Sequence, residues 1–245
     1  MTLARTHELR PAILSAGILV LLLLSGCGGS GTATSSPSPS LTPGAALGER
    51  IVLTLGDFPA NQGWREAPGA RHASRDRQVL ACLGNAAAAT GVVADVNSAL
   101  FARPGSRPAT GVQATSSVAL KSTAASAVSD VKALASAGAA ACVRKVFSSE
   151  LVSALPAGVS GTQVQVRPLK LPVTTSAVAT YGIAVFVLVN KKAHETAKGA
   201  VVFFAAGRAV VSLTVAGIGG ITPPVNMVLT LVKTMRDRAL ALAPA

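Results

Sequence analysis

An α+β domain is what this sequence predicts: a single antiparallel sheet of about six strands, packed by two central helices and closed by a C-terminal amphipathic helix. Three observations carry that reading. Apolar residues alternate with period two in Thr110 to Lys121 and Thr162 to Leu171, and Ala177 to Asn190 is a long apolar run rich in Val, as strands require. Between those blocks the apolar period changes to helical spacing. The last twenty or so residues carry an apolar stripe opposite a basic one, the mark of a helix lying on a core.

The elements follow in order. Ile51 to Trp64 begins apolar and ends in a Pro- and Gly-marked turn bearing the single Trp. Arg75 to Leu83 reads as a short helix presenting Cys82. Gly91 to Phe101 and Thr110 to Lys121 read as strands with a Pro104-Gly105 turn between them. In the second, Val112, Ala114, Ser116, Val118 and Leu120 share a face. Ser122 to Ala137 is helical, with Ser122 or Thr123 as cap and Gly138 as stop. A second helix runs from Ala139 to Leu155, with Val143, Phe147 and Leu151 stacked, and Pro156 to Gly158 ends it. Strands then span Thr162 to Leu171, Ala177 to Asn190, Ala200 to Ala206 and Ala209 to Ala216, the last two joined by a tight turn at Gly207-Arg208. Lys191, Lys192 and Lys198 fall in a turn. Thr222 and Pro223 open the final helix, which should bury Val225, Val228, Leu229, Val232, Met235 and Leu240. Phe203 and Phe204 point to opposite faces of one strand, so both faces of the sheet should be covered.

The N-terminus carries an address. Arg5 and Arg10 precede an apolar run from Pro11 to Leu24. That run is too short for the about 20 residues a bilayer-crossing helix needs, and fits the core of a signal peptide. Leu24-Ser25-Gly26-Cys27 resembles the bacterial lipobox. By that resemblance residues 1–26 are cleaved, and Cys27 carries a diacylglycerol and becomes the first residue of a lipoprotein on the outer face of the cell membrane. Residues 28–48 are Gly, Ser, Thr and Pro without charge and read as a flexible tether. One domain, 49–245, follows. With Cys27 lipidated, Cys82 and Cys142 remain, and in an oxidising compartment they are expected to pair; two separate buried thiols are the alternative.

Charge and composition exclude several classes. The chain holds 22 Lys and Arg against 10 Asp and Glu. Arg65, Arg71, Arg75 and Arg77, with Lys191, Lys192 and Lys198, are candidates for contact with anionic lipid or a wall polymer; solubility is the plainer use. An exported chain with 3% aromatics offers no base-stacking platform, so nucleic acid is not an expected partner. His194-Glu195 begins a zinc-protease pattern, but position 198 is Lys rather than the second His ligand. Gly158, Ser160 and Gly161 approximate a nucleophile elbow, but residue 162 is Thr. The Gly26 to Gly31 glycine pattern is the lipobox and tether. His72 stands apart. Neither a catalytic set, a metal site nor a cofactor is assigned. Trp64 is read as a core plug rather than the lining of a cleft.

The Asp57-Phe58-Pro59 turn leading to Gly63-Trp64, Cys82, the helix with Cys142, the block Gly199 to Thr214 and the closing helix together carry a likeness. The chain resembles secreted actinobacterial lipoproteins whose domain is similar to the PsbP-like fold or to the extracellular sensor domains of actinobacterial serine/threonine kinases. Such kinase domains carry two disulfides, and this chain can form one. The resemblance implies a sheet with a cleft or cavity for a small molecule or lipid, and no catalytic residues. Two functions follow as expectations: a non-enzymatic binding or sensing module for a protein or envelope partner, or a carrier of a lipid or small hydrophobic ligand between sheet and helices, where alanine-rich helices leave room.

Overall fold

The computed structural model describes residues 42–67, 75–85, 91–107, 109–152, 161–189 and 192–244. The signal peptide, Cys27, the tether to residue 41, and Arg71, His72, Ser160 and Lys191 lie outside them. The strands are β1 (Arg65–Ala67), β2 (Val92–Asn97), β3 (Leu100–Pro104), β4 (Gly111–Lys121), β5 (Gly161–Pro168), β6 (Ala177–Val189), β7 (Lys192–Ala206) and β8 (Ala209–Ile218). They form one antiparallel sheet in the order β1-β3-β4-β8-β7-β6-β5, with β2 also on β4. The helices are α1 (Pro43–Glu49), α2 (Arg75–Cys82), α3 (Ala124–Leu134), α4 (Ala139–Val152) and α5 (Val225–Leu242). The class is the expected α+β, with eight strands rather than six.

Two differences account for the extra strands. The segment read as one strand from Gly91 breaks at Ser98-Ala99. Its halves pair with opposite ends of β4, Val96 beside Val118 and Phe101 beside Ala114. Ser98 fixes the break: its backbone N–H donates to the Ser116 carbonyl, and its hydroxyl accepts the Ser116 N–H, both at 2.9 Å. The three-residue β1 then pairs with β3 at the edge.

Both faces of the sheet are covered, as the adjacent phenylalanines required. Phe204 belongs to a core formed with α5 and the Ile51–Trp64 segment; Phe203 belongs to one formed with α2 and α4. Val112, Ala114, Val118 and Leu120 do share the first face. Trp64 is buried there, stacked on Phe58 at 4.2 Å between ring centres. On the second face α3 adds Val131 and the ion pair Asp130–Lys121 at 2.8 Å, both side chains buried. The Tyr181 hydroxyl donates to the Leu134 carbonyl where that helix ends.

Three boundaries move. Residues 43–48, placed in the tether on composition, belong to α1. Thr42 caps it and Pro43 opens it, and Ala45 and Leu47 pack against the first core. A local cap and a docking surface outweigh weak composition. Strand β7 starts at Lys192, so His194 and Glu195 are exposed strand residues rather than a turn, with His194 beside Val187. The last helix begins at Val225 with Pro224 as cap. Its buried line runs through Val228, Leu231, Val232, Met235 and Ala239, which leaves Val225 and Leu240 exposed. The stripe is set by contact with β7 and β8, and residue 240 lies one step around the helix from it.

Candidate functional site

The disulfide Cys82–Cys142 forms, with Cα atoms 5.6 Å apart. It joins the end of α2 to the first turn of α4 and so ties together two helices on the second face. Under them, that face is apolar beneath α4 and polar toward β4. On β6, β7 and β8, Ile183, Val185, Ala197 and Ile218 lie with Phe147 of α4 in one buried cluster. Toward β4, Gln113, Ser117, Lys121 and Ser212 are buried polar residues. Alternation separates the two sets: Val112, Ala114, Val118 and Leu120 of β4 face the first core, and Gln113, Ser117 and Lys121 fall on the other face.

Between α2, α4 and this face lies a cavity of about 100 Å³ that widens into a cleft, with about 950 Å³ of open space in all. Its walls are apolar side chains of β6–β8 and Phe147; its polar groups converge from Arg75, Gln113, Thr115, Glu150 and Thr214. A concave apolar site with a few placed polar groups is the usual form of a small-molecule site.

Arg75 organises the polar end. Its side chain is 8% exposed. Nε donates to both Glu150 carboxylate oxygens at 3.1 and 3.3 Å, and Nη1 donates to Thr214 Oγ1 at 3.1 Å. Its guanidinium stacks over the Phe147 ring at 4.8 Å. The cation is therefore neutralised and held across from α2 to α4 and β8. Gln113 is different. The residue is 3% exposed, and neither its side-chain oxygen nor its nitrogen has a hydrogen-bond partner. A buried amide left unpaired costs about 1–3 kcal/mol.

Next to Arg75, Asp76 is buried at the start of α2. Burial, then the nearby Asp95 carboxylate, push its pKa up to about 6, against the N–H groups of the helix start and the Arg77 cation. Arg77 pairs with Asp95 on β2.

Among the described residues, the basic side chains read from sequence do not gather into one patch. Arg75 is a buried ion-pair partner and Arg77 is paired, so neither is a free cation for an anionic surface. Arg65 is exposed on edge strand β1, whereas Lys192 and Lys198 lie on β7, the latter 3.3 Å from Glu195. Sequence neighbours were separated because the helix turns Arg75 inward. Among the described residues no group of three or more His, Cys, Asp or Glu could hold a metal ion, and no helix there is long and apolar enough to cross a membrane.

Sequence reasoning missed Gln113, Glu150 and Thr214. The signal was present: once Phe203 and Phe204 cover both faces, a Gln in the middle of a central strand must be buried on one of them.

No protein-family model matches this chain, and no curated protein matches it in sequence. Among solved structures it is similar to the extracellular domain of PknH from Mycobacterium tuberculosis. The sequence identity is 12% and the TM-score 0.45, over 80% of this chain and 96% of that one.

Proposed function

We propose that this chain is a non-enzymatic ligand-binding or sensing module on the extracytoplasmic face of a membrane, tethered through a lipid on Cys27, with the cavity under α2 and α4 as its recognition site. The observation that carries the reading is Gln113: a fully buried, unpartnered carboxamide on the wall of an apolar cavity. Such a group is a standing cost to the fold unless something in the cavity pairs with it. The neutralised Arg75–Glu150 pair forms a rigid polar wall beside it. The apolar wall supplies burial for the rest of a ligand. Of the two functions expected from sequence, a carrier of a lipid or small hydrophobic ligand is the one this geometry favours, with about 100 Å³ in the cavity and the cleft beyond it for the rest of the ligand. An engineered apolar cavity of roughly 150 Å³ holds benzene.

Filling the cavity tests the reading. Small-molecule extract of the host envelope should raise the thermal unfolding temperature of the wild-type protein. Ile183→Trp, which places a large ring in the cavity, should lose that response relative to its own baseline. An equal response in both would place binding elsewhere.

A further inference from the structure

Resting on the cavity reading above, we propose that the ligand is a small neutral amphiphile, with a ring or short chain end in the apolar pocket and a head that both donates and accepts a hydrogen bond, an amide or hydroxyl group, paired with the Gln113 carboxamide. Three features of the cavity fix that class. First, the unpaired side chain is itself an amide, offering one carbonyl oxygen and two N–H groups, so the complement carries both a donor and an acceptor. Second, the charges at the wall already cancel. Arg75 spends Nε and Nη2 on Glu150 and Nη1 on Thr214. An anionic head would have to be desolvated beside a carboxylate, and a cationic head beside a guanidinium; either is costly without a free counter-charge. Third, the volume of about 100 Å³ beside Phe147, Ile183 and Ile218, open to the cleft, admits one ring or chain end and leaves the rest of the molecule in the cleft.

Three probes sharing one ring separate these statements: benzamide, benzoate and toluene, titrated into the lipid-anchored protein in small lipid nanodiscs, with empty nanodiscs as the reference, and followed by protein NMR. Benzamide should bind more tightly than benzoate, and toluene should bind as well. Gln113→Leu should weaken benzamide about tenfold, as loss of a buried hydrogen bond does, and leave toluene unchanged to within about twofold. If no probe binds, toluene included, the cavity reading itself fails. If toluene binds but benzoate matches benzamide, or Gln113→Leu leaves benzamide unchanged, the cavity stands and the neutral amide-type head is overturned. Should the variant not fold, the side-chain N–H signals of Gln113 in the wild-type protein decide. They should shift with benzamide and not with toluene. Signals unmoved by benzamide would mean that an ordered water alone satisfies Gln113, and would overturn the proposal.

Discussion

Asp76 and Asp130 show how differently one residue type can be treated on a single face of the sheet. Asp130 is buried against a buried ammonium, Lys121. Asp76 is buried beside another carboxylate, Asp95, and its folded pKa of about 6 lies well above the ordinary value of 3.8. The folded protein therefore binds the proton more tightly than the unfolded chain does. The resulting stability is fully present below about pH 4 and is lost as pH rises through about 6, a difference on the order of 3 kcal/mol. Asp76→Asn should keep the acceptor for the helix N–H groups and remove that dependence. Denaturant unfolding at pH 4 and pH 7 checks it: the variant should gain on the wild type at pH 7 and show a flatter profile between. Little of this was legible beforehand. Arg65, Arg71, Arg75 and Arg77 read together as candidates for an anionic contact because charge counts do not say which way a side chain turns. Arg75 turns inward because Glu150, distant in sequence, and Thr214, more distant still, are waiting for it. Trp64 and the Phe203-Phe204 pair were legible, since bulk and alternation report burial directly.

Among the elements, α2 is short, and it is held on the sheet by buried Val79 and Leu80 together with a tie at each end. Arg75 reaches Glu150 and Thr214 at one end, and Cys82 is bonded to Cys142 at the other. The disulfide closes a span of 60 residues, worth about 4 kcal/mol in the chain-entropy account. The double variant Cys82→Ser, Cys142→Ser should lower the unfolding free energy by about that amount in guanidinium titrations. A change below about 1 kcal/mol would mean that α2 is held by its packing and ion pairs alone. The strands and long helices were legible because their periods are regular. The break at Ser98 was not, because it depends on Ser116 across the sheet. Helix α1 was not, because its composition is that of a linker and its stability comes from Thr42 capping it and from docking on β2. The length of β7 was hidden by charge: Lys192 to Lys198 read as a solvated turn, and an exposed strand end is equally solvated.

In the molecule as a whole, the sheet has one apolar face and one mixed face. The apolar face supports α5 and the Trp64 segment; the mixed face, under a pair of helices linked by a disulfide, is where a cavity and the unpaired Gln113 amide coincide. The lipid anchor proposed for Cys27 would give such a domain a place to work. Cys27→Ala should release the protein from the membrane fraction; unchanged fractionation would remove the lipid anchor from the account. Native mass spectrometry of the protein recovered from its host in mild detergent, set against its denatured mass, tests ligand binding in the cavity. A covalent lipid on Cys27 contributes to both masses, so the difference reports only what the fold holds. The native mass should exceed the denatured mass by a small molecule that is lost on organic extraction and in Ile183→Trp. Equal native and denatured masses, in protein that has never been stripped, would mean that the cavity holds no ligand.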